Sequence, residues 1–173
     1  MIKQFMITLG LIFTISAFSY GQHQNQVIKD SRLHRDVLVG LCNDQGLQGT
    51  LFGPSFNDQY THYTPDASKV AVLKHQLNRV RFTLVFGSWC GDSKTQVGRF
   101  YKILDQAGYN HSNVRLIAVD RSLRAGEVNI AALKIKRIPT FILYKNGTEI
   151  GRIVESPMVS LEADLVNLLN KKK

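Results

Sequence analysis

Cys90 is the residue of this chain that is best placed to do chemistry. It follows an apolar run that ends at Phe86, and a glycine turn separates the two. From Asp92 onward apolar residues recur at helical spacing, so the thiol is expected at a helix N-terminus. Unpaired backbone N–H groups and the positive end of the helix dipole favour a thiolate there, and the thiolate is the nucleophilic form. Ser93 stands where a second cysteine would complete a C-x-x-C pair.

The elements that must position Cys90 alternate between strands and helices. A helix is predicted over residues 65–79, with a cap at Thr64 and a proline at its first position. An apolar strand over residues 82–86 leads to the cysteine and its helix, which is expected to end near Gly108. The other predicted elements are a strand over 114–120, a short helix over 128–133, strands over 140–144 and 149–154 joined by an Asn146-Gly147 turn, and a helix over 161–169. Residues 46–63 are interpreted as a loop whose aromatic side chains pack onto the domain.

Three motifs, in this order, resemble the thioredoxin superfamily. They are Trp89-Cys90-Gly91-x-Ser93-Lys94 at the first strand-to-helix turn, Arg137-Ile138-Pro139-Thr140 before the third strand and Lys145-Asn146-Gly147 at the hairpin. The resemblance spans about residues 66–170 and is closest to exported bacterial thioredoxin-like proteins with Trp-Cys-Gly-Asp-Ser in place of Trp-Cys-Gly-Pro-Cys. It implies an α/β, thioredoxin-like three-layer sandwich, with a central mixed β-sheet flanked by helices and an N-terminal extension.

The resemblance also implies roles for individual residues. Cys90 matches the nucleophile that attacks a substrate disulfide and forms a mixed disulfide. Trp89 matches the tryptophan that shields this cysteine, and Pro139 matches the cis-proline that faces it. In the family, the backbone of the residue before that proline pairs with the substrate chain. The expected substrate-binding residues are therefore Ile138, Pro139, Gly91 and Asp92, and the expected catalytic residues are Cys90, Ser93 and Trp89.

Three positions depart from the family pattern. Ser93 replaces the resolving cysteine; its hydroxyl can donate a hydrogen bond to the Cys90 thiolate, but it cannot displace a bound substrate. Leu84 replaces a buried aspartate six residues before the nucleophile, and Glu155 replaces a glycine near the substrate groove. The sequence therefore predicts a monothiol site in place of a dithiol redox centre.

Three classes of function fit this pattern. The first is thiol-disulfide exchange, in which Cys90 forms mixed disulfides with protein or small thiols, and an enzyme of this class would be a monothiol thiol-disulfide oxidoreductase. The second is a non-redox module that binds extended peptides beside Ile138 and Pro139. The third is a scaffold closed by a structural Cys42–Cys90 disulfide. Cys42 is accordingly a resolving thiol, a structural cysteine or a buried free thiol, and the distance between the two cysteines decides among them.

The N-terminus carries the features of a secretory signal peptide. Lys3 precedes an apolar run over residues 5–18, and cleavage is expected after Gly21. The run is too short to span a bilayer, and no cysteine follows it closely enough for a lipid anchor. The predicted organisation is a signal peptide over residues 1–21, an extension over 22–63 and a thioredoxin-like domain over 64–173. The mature protein is expected to be periplasmic or extracellular, not membrane-anchored, and a monomer.

Charge and histidine spacing exclude several other functions. Loss of the signal peptide removes one lysine and no acid, which lowers the net charge from +9 to +8. The basic residues are scattered, apart from the three lysines at the C-terminus, so the pattern favours a solvated surface and no nucleic-acid partner. The five histidines form no metal-ligand spacing, and no glycine-rich phosphate loop follows a strand. No metal or other cofactor is therefore expected.

Overall fold

A six-stranded mixed sheet organises the chain. The computed structural model describes residues 24–171, so the predicted signal peptide lies outside the described residues. The strands are β1 (Gln26–Asp30), β2 (Arg35–Cys42), β3 (Val80–Phe86), β4 (Val114–Ala118), β5 (Thr140–Lys145) and β6 (Thr148–Val154). Their order is β1-β2-β4-β3-β5-β6, with β3 and β4 parallel and the other neighbouring pairs antiparallel. The predicted α/β architecture, a central mixed sheet flanked by helices, is confirmed.

The helices enclose the main hydrophobic core on one face of the sheet. They are α1 (Asp44–Gln48), α2 (Gly53–His62), α3 (Ala67–Gln76), α4 (Gly91–Gln106) and α5 (Leu161–Asn170). Leu84 and Phe86 of β3 point into this core and meet Phe100 of α4 there. Within residues 24–171, no helix has the length and apolar character that crossing a bilayer requires.

The ends of two helices test the predicted capping residues. The cap of α3 is Asp66 and not Thr64, because the Asp66 carboxylate accepts hydrogen bonds from the backbone N–H groups of Ser68 and Lys69. The predicted end of α4 is confirmed, since the helix stops at Gln106 and Gly108 follows with a φ of +68°.

The opposite face of the sheet carries a smaller apolar cluster. Val85, Ile117 and Val119 form it together with Ile138. The segment between β4 and β5 covers these side chains, and its only 3₁₀ turn, Ala131–Leu133, stands where a helix over residues 128–133 was predicted. The chain leaves this turn at Lys134, whose φ of +51° ends the helical conformation.

The N-terminal extension belongs to the same fold as the rest of the chain. β1 and β2 extend the sheet beside β4. Residues that were interpreted as a loop form the helices α1 and α2. Phe52 and Phe56 of this region are buried in the main core, and Phe52 contacts the ring of Phe86 edge to face at 5.0 Å. The core that supports the Cys90 turn is therefore built partly from the extension.

Gly98 allows α2 to pack closely on α4. A Cβ atom at this position would lie 2.5 Å from the backbone oxygen of Phe56 and 3.0 Å from the backbone nitrogen of Tyr60. Because both neighbours are main-chain atoms of a helix, neither can give way alone. The short distance between the extension and the helix that carries Cys90 is therefore possible only because residue 98 has no side chain.

Replacement of Gly98 with alanine should destabilise the protein even though alanine favours helices. The new methyl group must push α2 away from α4, and overpacking of this kind costs about 1–3 kcal/mol. Urea unfolding measures the change. Gly91→Ala is the matched control, since nothing lies within 4 Å of its added Cβ. Equal free energies of unfolding for the two variants would contradict the packing argument.

Candidate functional site at the start of helix α4

Cys90 is the N-terminal capping residue of α4. Its backbone N–H donates to Gly87 O at 3.0 Å, and its carbonyl accepts the first helical hydrogen bond from Lys94 N, also at 3.0 Å. Its side chain is partly exposed and packs against the apolar cluster on the second face of the sheet. Cys90 thus lies at the N-terminus of a helix, as the sequence predicted, and is partly exposed there.

The Ile138–Pro139 peptide lies directly opposite the thiol. Its bond is cis, and the Cys90 Sγ donates a hydrogen bond to Ile138 O at 3.6 Å. Within residues 24–171, no group hydrogen-bonds the N–H of Ile138. The main-chain donor and acceptor of one residue therefore lie beside the thiol and can pair with an extended chain.

Gly87 makes this close approach of Cys90 and Ile138 sterically feasible. A Cβ atom on Gly87 would lie 2.7 Å from the Ile138 side chain and 2.9 Å from the Trp89 ring. The glycine is therefore required because two large side chains converge on its backbone, and not only because it permits a turn.

Glu155 occupies the other side of the cis-proline. Its backbone N–H donates to Pro139 O at 2.7 Å, and its carboxylate pairs with Arg137 at 2.8 Å. Its φ of +62° lies in the left-handed region that glycine adopts most readily. This conformation agrees with the inference that Glu155 stands where relatives carry a glycine.

Trp89 is fixed in place by contacts from three different segments. Its indole N–H donates to Val119 O at 2.8 Å, at the end of β4. The guanidinium of Arg121 lies 4.9 Å from the centre of its ring, within the range of a cation–π contact. Arg35, from the start of β2, donates to Trp89 O at 3.2 Å. The ring therefore forms a rigid wall beside Cys90.

The sequence analysis missed the contribution of the extension to this site. Besides the Arg35 contact, the backbone N–H of Leu38 donates to the Ser88 hydroxyl at 3.0 Å. These contacts arise because β2 runs antiparallel to β4 and so begins at the edge where β4 ends. No local pattern in residues 22–63 indicates this pairing.

Ser93 supports the backbone of the turn. Its side chain is fully buried, and its Oγ accepts a hydrogen bond from Gly87 N at 3.2 Å. Within the described residues no hydrogen bond joins Ser93 to the Cys90 sulfur. The hydroxyl therefore orders the glycine turn, and in this conformation it does not make the bond to the thiol that was expected of it.

The remaining predicted residues of the turn differ in exposure. Gly91 and Asp92 are exposed at the first turn of α4, where a partner can contact them. Leu84 is completely buried in the main core, so the position below the turn offers no proton acceptor. Among residues 24–171, no three His, Cys, Asp or Glu side chains are grouped so that they could hold a metal ion.

The structure does not bring Cys42 to Cys90. Both thiols are free, and Cys42 lies in the main core whereas Cys90 packs on the opposite face of the sheet. Cys42 and Leu84 both pair with Leu116 of β4, so two strand spacings, about 10 Å, separate them. Cys90 lies six residues beyond Leu84, and bridging requires Cα atoms within about 7 Å. A Cys42–Cys90 disulfide does not form in this conformation, and Cys42 is not in position to resolve a mixed disulfide on Cys90.

Comparison with known proteins gives distant similarity to solved structures only. No family model and no curated protein matches the chain. Among solved structures, a thioredoxin from Fasciola hepatica is 20% identical, covers 60% of this chain and 93% of its own, and has a TM-score of 0.38. Trxlp from Edwardsiella tarda is 18% identical, with coverages of 62% and 97% and a TM-score of 0.40. A protein of unknown function from Pseudomonas aeruginosa is 19% identical, with coverages of 67% and 68% and a TM-score of 0.41.

The element order and the geometry of this site agree with the thioredoxin-like fold that the sequence motifs predicted. In this fold the partly exposed cysteine begins a helix at the end of a central strand, and the Ile138–Pro139 peptide faces it from the start of β5. The site that the sequence predicted at Cys90, Ile138 and Pro139 is therefore assembled from segments about 50 residues apart in the chain. This arrangement supplies one partly exposed thiol and, beside it, the N–H of Ile138, which has no hydrogen-bond partner among residues 24–171.

The two thiols should differ strongly in reactivity. Burial raises the pKa of the Cys42 thiol to about 12, so at pH 8 only about one part in ten thousand is thiolate. We expect native protein to react rapidly with one equivalent of 5,5′-dithiobis(2-nitrobenzoate), and denatured protein to react with two. Absorbance of the released thiolate measures both.

Single substitutions assign this reactivity. Cys90→Ser should remove the fast phase, and Cys42→Ser should leave it unchanged. Two fast thiols in the native protein, or a fast phase lost in Cys42→Ser, would show that Cys42 is accessible and reactive.

Proposed function

We propose that this protein is an exported thiol-disulfide exchange protein that acts through the single thiol of Cys90. The observation that carries the proposal is the position of its sulfur, 3.6 Å from Ile138 O and partly exposed at the start of α4. A substrate chain that pairs with the main chain of Ile138 would bring its disulfide to this sulfur. The proposed substrates are disulfides of proteins and of small thiols.

The chemistry is a pair of exchange steps. The Cys90 thiolate attacks one sulfur of a substrate disulfide, so that a Cys90–substrate disulfide forms and the other substrate sulfur leaves as a thiolate that takes up a proton. A low-molecular-weight thiolate then attacks the substrate sulfur of this mixed disulfide, so that a disulfide forms between that thiol and the substrate. Cys90 leaves as a thiolate and takes up a proton. The external thiol is needed because Ser93 cannot act as a nucleophile in this step and Cys42 lies buried in the main core.

This mechanism predicts a long-lived mixed disulfide, and a single substitution should shorten its lifetime. A peptide carrying an activated disulfide should stay attached to the wild-type protein until dithiothreitol is added. In Ser93→Cys, the introduced thiolate attacks the Cys90 sulfur, an intramolecular disulfide forms across the turn and the peptide leaves as a thiol. Release should accelerate at least about tenfold, since the attack becomes intramolecular. Mass spectrometry of samples quenched with acid follows the adduct.

Two controls separate the outcomes. Cys42→Ser should release the peptide as slowly as wild type, and Cys90→Ser should form no adduct. If wild-type protein forms no adduct with any activated peptide, the exchange function is wrong. If Cys90→Ser nevertheless binds the reduced peptide as tightly as wild type, this result supports the alternative function. The protein would then be a non-redox module that binds peptides at the main chain of Ile138.

Export is the second part of the proposal. It is supported by the apolar run over residues 5–18 after Lys3 and by the small residues Ser19 and Gly21, which precede the predicted cleavage site. When the full chain is expressed in a Gram-negative host, the protein recovered from the periplasm or medium should begin at Gln22, as measured by intact mass. A cytoplasmic product that retains residues 1–21 would contradict export. Ala17→Arg together with Phe13→Arg, which places charges in the apolar run, is the matched control and should block processing.

A further inference from the structure

Two arginine side chains lie on the Trp89 side of the thiol, and neither is neutralised. Arg35 donates to Trp89 O and Arg121 lies over the Trp89 ring, and both are exposed. All 13 acidic residues of the chain fall within the described part, residues 24–171. None of them forms an ion pair with either guanidinium. Two positive charges therefore flank the site without a partner from the protein itself.

Asp30 holds the two arginines on the same side of the site. It is buried at the end of β1, and it accepts hydrogen bonds from the backbone N–H groups of Arg32, Leu33 and Arg121. The bond from Arg121 is the main reason that the pKa of this carboxyl is lowered. Asp30 thus joins the β1–β2 hairpin, which carries Arg35, to the segment after β4, which carries Arg121. Both of its oxygens accept hydrogen bonds from main-chain donors, so it connects the two segments without an ion pair to either guanidinium group.

The other charges near the thiol largely cancel one another. Arg137 is paired with Glu155 at 2.8 Å on the far side of the cis-proline. In the first turn of α4, Asp92 is followed two residues later by Lys94. The arginines near the thiol that have no ion-pair partner among residues 24–171 are therefore Arg35 and Arg121, on the wall of the site that Trp89 forms.

Both guanidinium groups retain hydrogen-bond donors for a ligand. Arg35 donates to Trp89 O through only one of its terminal nitrogens. The Arg121 Cζ lies 4.9 Å from the centre of the ring, and its side-chain N–H groups make no hydrogen bond within residues 24–171. A guanidinium edge matches a carboxylate in shape and charge and binds it through two parallel hydrogen bonds. On the other side of the thiol, the unpaired N–H of Ile138 can donate to an extended polypeptide.

We infer that the partner of Cys90 is an extended polypeptide segment with an acidic residue close to its cysteine, whose carboxylate is bound by Arg35 and Arg121. This inference rests on the proposed exchange function and names its substrate class. Complementary charge raises the rate of encounter and fixes orientation, and it weakens as salt screens the charges. Acidic segments should therefore be selected before the disulfide forms.

The test measures the rate of disulfide formation with three matched peptides. Each carries one cysteine as a 2-pyridyl disulfide, flanked on both sides by Asp, Asn or Lys. Attack by the Cys90 sulfur forms the protein–peptide disulfide and releases pyridine-2-thione, whose absorbance is followed. We expect the Asp peptide to react about tenfold faster than the Asn peptide at low ionic strength, the Lys peptide to be slowest, and the differences to shrink at high salt.

A matched pair of double variants separates the effect of charge near the thiol from the effect of net charge on the reaction rate. Arg35→Gln with Arg121→Gln should bring the Asp and Asn peptides to nearly equal rates. Lys74→Gln with Lys145→Gln removes the same total charge from distant exposed positions and should keep the preference for Asp. The three peptides on wild-type protein test the inference even if the arginine variant does not fold.

Each contrary outcome has a distinct meaning. Equal rates for the Asp and Asn peptides on wild-type protein would overturn the inference and leave the exchange function standing. So would a preference for Asp that survives in the arginine variant, or one that is lost equally in the lysine variant. If no peptide reacts with Cys90 at all, the exchange function and this inference fail together.

Discussion

The site depends on the packing of two large side chains against the bare backbone of Gly87. Ile138 approaches this glycine from the start of β5 and Trp89 from the following turn, and a single methyl group would push both away. Their convergence brings the thiol of Cys90 to the carbonyl of Ile138. The buried Ser93 hydroxyl, which accepts from Gly87 N, holds the same backbone from below. The geometry of the thiol is therefore set by close packing around one residue without a side chain.

Local patterns predicted the part of the fold that surrounds this contact. The apolar run of β3 indicates a buried strand, and the Asn146-Gly147 pair predicts the hairpin, in which both residues adopt positive φ. The extension could not be predicted in the same way, because β2 is stabilised by pairing with β4, more than 70 residues away in the chain. The sequence therefore predicted Cys90, Ile138 and Pro139 as site residues and missed Arg35 and Arg121, whose positions depend on that long-range pairing.

The two cysteines lie in different environments. Cys42 packs in the main core, where the low polarity of its surroundings raises its pKa and keeps the thiol protonated. Cys90 is partly exposed on the other face of the sheet, next to polar main-chain groups. With Ser93 in place of a second thiol, the turn itself holds no partner with which Cys90 could form a disulfide.

The contacts of Trp89 have a practical consequence for experiments. It is the only tryptophan in the chain, its indole N–H is bound to Val119 O, and a guanidinium covers its ring. The tryptophan fluorescence of the whole protein therefore reports from this one position, beside the reactive sulfur. A molecule that displaces Arg121 from the ring changes the polarity and quenching of a single fluorophore. The protein thus carries its own optical probe of occupancy, and no label has to be attached near the thiol.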